Sequence, residues 1–357
     1  MKFTVETDQL KMATKTIETI FGRTDIAALF KINKKHELTI QCGEPNAWLM
    51  IKIPVSDEKE GFFTTEYGSI AKIGFPKKEV SFEANKKEID FKSGTFKGKL
   101  SNILADNKVL KFKPLKLIKA KHKLNAKDLT EGISSLSYLP ILIDKDTKCL
   151  TIRVSTNGEM IIATNDSYRG GIFKSVTKTK PFKVHMNFDS MKRIVSMIPD
   201  SGSISLGTNS KQIRIVTKTI DCQCPTFQIE KQSSAEELIG SLKKPIISFT
   251  SDAQKFSEAI ASLSSLMYLS KTTELKIIAT IKKSKLEMKA SVGTGSASYS
   301  ITIHRKTGKE NTFNMNNRMV MDILTLLKGS VKLELFSEIG ILSSTQKDIK
   351  YVFPLVQ

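Results

Sequence analysis

Arginine is scarce in this chain: of 56 basic residues only seven are Arg. Lys is a flexible point charge, whereas Arg is the planar fork that reads guanine edges. A positive charge made almost wholly of Lys suits attraction to a phosphate backbone better than sequence readout. Cysteine is scarce too, with only Cys42, Cys149, Cys222 and Cys224 in 357 residues. That is too few for a disulfide scaffold and points to a reducing cytoplasm. No stretch approaches the ~18 consecutive apolar residues of a membrane-spanning helix. Met1–Asp8 has no apolar run to serve as a signal peptide. The expectation is a cytoplasmic protein with no membrane partner.

A catalytic constellation is also lacking. His36, His122, His185 and His304 lie far apart, with no Cys or carboxylate at metal-ligand spacing. They read as surface or strand histidines. Cys222 and Cys224 form a C-x-C with no second pair; on one strand both sulfurs share a face, a structural role. Gly202–Gly207 imitates the start of a phosphate loop, but lacks the following Lys-Ser/Thr and falls where a strand hairpin is expected. Gly293-Thr294-Gly295 reads as a hairpin turn. No pair of carboxylates can be placed together. Neither an enzyme, nor a metal, nor a cofactor is expected.

What the chain does have is charge and repetition. The net charge is +20 and apolar residues make up 40%, enough for real cores and a reason to consider nucleic acid as partner. The length suggests two or three domains. Three segments each open with a short alternating strand that runs into an amphipathic helix: Phe3–Leu10, His122–Leu129 and Ile247–Gln254. Asn125 and Ser251 read as N-caps, Ser251 with Gln254 as a capping box. The apolar faces that follow are Leu10, Ala13, Ile17 and Ile20; Leu129, Ile133 and Leu136; and Ala253, Phe256, Ile260 and Leu263. Strand-like runs come after each helix, among them 37–41, 47–53, 149–154, 160–163, 275–281 and 285–290.

Each segment then repeats the plan. Phe62–Thr65 leads into a weak helix with Ile70 and Ile73, Phe182–Asn187 into one with Met191, Ile194, Val195 and Ile198. Thr312–Asn314 leads into one with Val320, Ile323, Leu324 and Leu327. The chain therefore reads as six helix-plus-strands units paired into three domains, 1–115, 116–240 and 241–357. The second boundary lies in the polar run Gln232–Glu237. The three segments carry net charges of +5, +7 and +8, so the charge belongs to the repeated unit and not to a basic tail.

Lys11, Lys15, Lys72, Lys192, Arg193, Lys255, Arg318 and Lys328 sit off the apolar faces of these helices. For any single Lys a solvated helix face is the simpler account. Symmetry-related units would, however, turn all six helices toward one common surface.

Taken in order, these residues resemble the bacterial β sliding clamp family, the processivity factors of replicative DNA polymerase. Met1–Glu6 looks like the family's opening strand, and Phe21-Gly22-Arg23 like its loop after the first helix, where a basic residue faces DNA. Lys92-Ser93-Gly94 with Leu100-Ser101 resembles the last hairpin of its first domain. Ala163–Arg169 resembles its Ala-Thr-Asp-Gly-His-Arg segment. Phe313-Asn314-Met315 and Asp322-Ile323-Leu324 resemble the entry and body of its last helix, and Tyr351–Leu355 its C-terminal Tyr-Val-Val-Met-Pro-Met run.

The resemblance implies an α+β, three-domain DNA-clamp fold, each domain two copies of a helix-plus-antiparallel-strands unit. Two chains would close a homodimeric ring with the helices lining its inner face. Lys11, Lys15, Arg23, Lys72, Lys192, Arg193, Lys255 and Arg318 would then meet duplex DNA without choosing a sequence. DNA polymerase and a clamp loader would dock through a short peptide carrying a Gln and apolar anchors. The matching pocket positions are Thr164, Tyr168, Arg169, Pro225, Phe353, Pro354 and Leu355. Leu100 against Leu266 and Met267 is the implied dimer contact.

The chain departs from the family's pattern in its +20 charge, in Asn165–Tyr168, in Phe353 for a Met, in Val356 for a basic residue and in Gly98 for an interface aromatic. Such divergence suits a phage-type member. The alternative is a Lys-rich nucleic-acid-binding or transcription-accessory protein that uses a clamp-like fold without a polymerase partner.

Overall fold

A computed structural model describes the chain except for residues 33–35, 46, 104–115, 138–148, 166–168, 197, 199–201, 210, 227–234, 269–275, 293–294 and 357, and except for the side chains of 266–268 and 292. Its helices are α1 (Thr7–Phe21), α2 (Tyr67–Ala71), α3 (Ala126–Ser135), α4 (Phe188–Ser196), α5 (Ala235–Ser241), α6 (Ala253–Tyr268) and α7 (Asn317–Leu324). The strands between them pair antiparallel, giving the α+β class expected from the sequence.

The chain folds as two compact units. The first comprises Met1–Thr130, Thr177–Lys180 and Val184–Gln228; the second Glu131–Val176, Pro181–Lys183 and Ile229–Gln357. Helix α3 and the strand Phe182–Asn187 give residues to both.

In the first unit an eight-stranded sheet runs in the order His122–Asn125, Ser203–Thr208, Gln212–Val216, Ile220–Pro225, Ala47–Pro54, Glu37–Glu44, Ala27–Ile32, Gly61–Glu66. A five-stranded sheet runs Ser56–Lys59, Lys2–Glu6, Glu79–Ala84, Glu88–Ser93, Phe96–Ser101. Helix α1 packs on Ala47–Pro54 and against both α2 and α4. Leu10, Ala13 and Ile17 are buried as the 3.6-residue period requires, while Ile20 at the last turn is half-buried. Each fully buried Leu or Ile contributes roughly 1.5–3 kcal/mol. Gly22 ends α1 in the left-handed region (φ 72°), where its N–H reaches the Glu18 carbonyl at 2.8 Å. Stacked phenylalanines fill the core beside it: Phe30 and Phe63 lie 4.7 Å apart, Phe3 and Phe82 5.2 Å.

In the second unit the strands run Cys149–Val154, Glu159–Asn165, Gly170–Val176, Ile349–Pro354, Ile339–Ser344, Ser330–Leu335, Ile247–Asp252, His304–Thr307. A four-stranded sheet runs Gly295–Thr302, Lys285–Val292, Lys276–Ile281, Asn311–Asn316. Helix α6 packs on Lys285–Val292, on Gly295–Thr302 and on α7. Ala253, Phe256, Ile260 and Leu263 are buried as expected, as are Val320, Ile323, Leu324 and Leu327.

Pairing joins segments far apart in sequence. Gln223 lies opposite Trp48 and Cys222 opposite Leu49 in the first unit; Gly170 lies opposite Val352 in the second.

Three local expectations are corrected. The N-cap of α6 is Asp252, whose Oδ1 accepts the Lys255 N–H at 2.9 Å. Ser251 instead ends the strand and donates its hydroxyl to the Thr302 carbonyl at 3.2 Å, so there is no Ser251–Gln254 capping box. Part of the run read as a polar linker is helix: α5 packs on Glu159–Asn165 and Gly170–Val176. Its Ala235 joins Ile161, Ala163 and Ile172 in one apolar cluster, and Arg153 donates to both Glu236 carboxylate oxygens through its Nε and Nη2. Asn125 does cap α3, accepting the Lys127 N–H at 2.9 Å.

Candidate nucleic-acid face and peptide cleft

Within the first unit α1 packs against both α2 and α4. Lys11 and Lys15 on α1, Lys72 at the end of α2 and Lys192 on α4 are exposed, and Arg193 is half-buried. Arg23 follows Gly22 and is already engaged, 3.2 Å from Asp25 and 2.9 Å from Glu44. In the second unit Lys255 on α6 and Arg318 on α7 are exposed on two helices that pack together. Six of the eight expected cations thus belong to one unit and two to the other.

The charge inventory adds something the sequence reading missed. The seven helices of the described residues hold seven Lys or Arg against nine Asp or Glu, a balance of −2. The remaining +22 lies outside the helices. Any attraction exerted by the helix faces is therefore local to their cations, and the long-range field comes from strands and loops.

A second feature lies wholly within the second unit. A cavity of about 650 Å³ is lined by Leu238 of α5, Ile246, Phe336, Ile339, Pro354 and Leu355, with Asn314 and the carboxylate-bearing Glu338 at its wall. Leu238 and Ile246 are exposed there, at 36% and 51%. No Lys or Arg lines it. The chain's end forms one side: the Leu355 N–H donates to the Glu338 carbonyl at 2.8 Å and the Val356 N–H to the Asn314 carbonyl at 3.1 Å. Leu355 also bridges to Met315, so the tail ties the long sheet of this unit to its four-stranded sheet. Such a cleft, its apolar side chains interleaved with Asn311, Thr312, Asn314, Ser337 and Glu338, can take the side chains of a short extended peptide.

The residues expected to line a peptide pocket divide. Pro354 and Leu355 line this cavity. Phe353 is core, 1% exposed, and Val352 is equally buried. Successive strand residues face opposite ways, yet Tyr351, Val352 and Phe353 are all buried, because that strand has neighbours on both sides and packing on both faces. Thr164 is buried and donates its hydroxyl to the Cys149 carbonyl at 2.8 Å; Arg169 is buried as well. Pro225 is exposed at the end of its strand in the first unit. Tyr168 lies outside the described residues.

For the implied dimer contact, Leu100 is half-buried on Phe96–Ser101, the outermost strand of the five-stranded sheet. Leu266 and Met267 lie in the last turn of α6, and their side chains are outside the described residues.

The cysteines are structural in setting. All four are free and buried. The hydrogen bond Cys222 makes to Cys224, with its burial, pushes its thiol well up; burial does the same to Cys42. The same hydrogen bond lowers the Cys224 thiol, against the opposing effect of its burial. His122 is buried in its strand and has a lowered pKa from that burial. Among the described residues no three of His, Cys, Asp or Glu come together as metal ligands, and no helix is long and apolar enough to cross a membrane.

No family model matches the sequence, and no curated protein does. Solved structures do match. The beta subunit from DNA polymerase of Streptococcus pyogenes superposes with a TM-score of 0.80 at 13% identity, covering 100% of both chains. The DNA polymerase sliding clamp from Bacillus subtilis gives 0.80 at 15% identity, over 100% of this chain and 99% of that one. The sliding clamp (DNA polymerase III subunit beta) from Pseudomonas aeruginosa, bound to griselimycin, gives 0.79 at 14%, again over 100% and 99%. At such identities sequence similarity has faded while the order of helices and strands has not. Over its whole length, then, this chain has the fold of the bacterial β sliding clamp.

Proposed function

We propose that the protein is a DNA sliding clamp: a homodimeric ring of three-domain chains that encircles duplex DNA and tethers a DNA polymerase and a clamp loader. The observation that carries this reading is the likeness to several sliding clamps over 100% of this chain and 99–100% of theirs. The domains are 1–115, 116–240 and 241–357, two chains giving six. Lys11, Lys15, Arg23, Lys72, Lys192, Arg193, Lys255 and Arg318 contact phosphates on the inner face, which permits sliding because no base-specific well must be escaped. The hold is topological. The protein has no catalytic role and works in the cytoplasm.

Two free sheet edges support the dimer. Phe96–Ser101 ends the five-stranded sheet and Gly295–Thr302 ends the four-stranded one. An exposed edge is a template for pairing with another chain. The edge of one protomer adds to the other edge of its partner, bringing Leu100 toward Leu266 and Met267, since α6 packs on Gly295–Thr302. The cleft at Pro354 and Leu355 receives the partner peptide; Thr164, Tyr168, Arg169, Pro225 and Phe353 are the other positions at which the family resemblance expects peptide contact.

Electron microscopy of the purified protein tests the ring. A closed ring with a duplex-sized hole, retained on circular DNA and lost when the circle is cut, is the expected result. A compact monomer refutes it. The charge inventory favours one second reading, a nucleic-acid-binding protein with a clamp-like fold and no polymerase partner, because the positive excess lies outside the helices. That reading predicts binding to linear and circular DNA alike and no effect on polymerase processivity.

A further inference from the structure

We propose that a lysine-lined strap, residues 116–123, together with the neighbouring loop 177–180 is a second binding surface on the first unit, for the sugar–phosphate backbone of nucleic acid.

The sequence holds two long stretches without a single Asp or Glu, 107–127 and 167–188. The first unit brings parts of the two side by side. In its eight-stranded sheet Ile213, Ile215, Cys222 and Cys224 face the core, so the period of two sends Arg214 and Gln223 to the opposite face. There both hold the strap. The Ile118 N–H donates to Gln223 Oε1 at 2.9 Å, and Arg214 Nη1 donates to the Ile118 carbonyl at 3.0 Å. Gly207 lets the strap pass, since a Cβ there would lie 2.4 Å from the Lys119 carbonyl oxygen. The strap then becomes the edge strand His122–Asn125. From that strand the buried His122 ring donates to the Lys180 carbonyl, which ties the loop to the strap.

Every exposed position from 116 to 124 is Lys: Lys116, Lys119, Lys121 and Lys123. In the loop the exposed positions are Lys178 and Lys180. None of the six makes an ion pair among the described residues. The charged neighbours that act on His122 are Lys121 and Lys180, both positive. Carboxylates at hand are taken. Asp221, on the same face as Arg214, is held by it through bonds of 2.8 and 2.6 Å. Asp128, next along the chain, is half-buried and engaged.

Lysines on an edge strand have an ordinary use: they keep it from pairing with another chain. That accounts for Lys123 and its neighbour Lys121. It does not account for Lys116 and Lys119, which cross the face of the sheet, nor for Lys178 and Lys180 in a loop. Anchoring is not their use either, because the strap is held by Arg214, Gln223 and backbone groups. Six like charges gathered without a counter-charge repel one another, and an anion from outside relieves that repulsion. Lys116 to Lys123 spans up to about 24 Å of extended chain, a length that suits a polyanion and not a single phosphate. Strap and loop contain no Arg, Phe, Tyr or Trp. A protein partner is anchored by aromatic or aliphatic side chains in pockets, whereas these positions offer charge alone, which is all a phosphate backbone needs. Contact is therefore with the backbone, without base stacking or sequence readout.

The test is binding of the full-length protein to a short linear duplex, read by fluorescence anisotropy across a salt series. Such a duplex needs no closed ring, so the result stands whether or not the chain is a clamp. The variants are K116Q/K119Q/K121Q/K123Q/K178Q/K180Q, the matching sextuple Lys→Arg, and a control with six other exposed lysines replaced, K86Q/K87Q/K283Q/K285Q/K289Q/K309Q. Each lost phosphate contact should lower the slope of log K against log salt by ~0.9, so the first variant should lose up to about 5.4. The Arg variant should keep the slope, and the control should lose far less than the first. If the sextuple Gln variant fails to fold or aggregates through its edge strand, K178Q/K180Q, which leaves every strand intact, should still lose up to about 1.8. An unchanged slope in the folded variants overturns the proposal, as does an equal loss in the control, which would mean attraction by net charge alone. So does polyglutamate competing as well as duplex of equal charge, which would make the partner an acidic polypeptide.

Discussion

Replacing Lys11, Arg23, Lys192, Arg193, Lys255 and Arg318 by Ala together asks whether duplex DNA runs along the helices. The structure allows the size of the answer to be set. Arg23 is already engaged by Asp25 and Glu44, so it is left out of the count of phosphate contacts. Five cations remain, four of them exposed and Arg193 half-buried. At ~0.9 per phosphate, five contacts per chain would lower the salt slope by about 4.5. Across a fourfold change in salt that is on the order of 500-fold in affinity. The substitutions touch no buried apolar side chain, so thermal stability should stay within about 0.5 kcal/mol per site. The assay is anisotropy with a 30-base-pair duplex that can thread a ring from its ends, paired with retention on nicked circular DNA. A folded variant with the parental slope would mean that DNA does not pass along α1, α4, α6 and α7. The reasoning would also fail if the Arg23→Ala single variant alone removed a full contact, since its two carboxylate partners argue against that.

Three further outcomes follow from named contacts. Truncation after Pro354 removes Leu355 and Val356, which line the cleft, but leaves Phe353 in its core; it should abolish capture of partner peptides, read by calorimetry, with the fold intact by circular dichroism. Asp252→Ala should cost about 1 kcal/mol in chemical denaturation through loss of the α6 cap, whereas Ser251→Ala should cost less because its hydroxyl only reaches the Thr302 carbonyl. Burial raises the Tyr67 hydroxyl, which donates to the Arg23 carbonyl, to about 12. A raised folded-state pKa gives stability that is full below the unfolded value of ~10 and is lost as pH climbs through the folded one. The melting temperature should therefore fall between pH 10 and 12, and less steeply in Tyr67→Phe.

Helices were legible in the sequence because their apolar residues recur at 3.6 over a full face, as at Leu10, Ala13 and Ile17. The strands at 149–154 and 182–187 were legible to the residue, since each is a short β-branched or aromatic run between turn signals. The cap of α6 was displaced by one position because Ser251 and Asp252 are both good caps, and only the path of the strand decides which hydroxyl or carboxylate is free. Helix α5 was hidden for a different reason. Seven residues are too few for periodicity, and Glu236 and Glu237 look like linker until Arg153, some eighty positions earlier, is brought beside them. The strand Gly170–Val176 opens with two glycines, a poor strand signal. Its reason is tertiary: a Cβ on Gly170 would lie 2.8 Å from that of Ala235.

The same distinction separates the two halves of the candidate site. Cations on helices can be named from a helical wheel, and the structure leaves most of them exposed. A cleft is made where chain segments meet, and Leu238, Ile246, Phe336 and Ile339 come from α5, a loop and a strand turn that no local pattern connects. Pro354 and Leu355 could be singled out because an apolar tail must be covered or used. How far the cover extends depended on Ile339–Ser344, the neighbour strand that buries Tyr351, Val352 and Phe353 and stops short of Leu355. The excess charge behaves likewise. Composition announced +20, but only the assignment of residues to helices and strands showed that the helices carry none of that excess. A clamp that held DNA by inner-face attraction alone would concentrate its charge there. On the proposed reading, a chain with this distribution would owe its hold on DNA to closure of the ring rather than to the net charge of its helices.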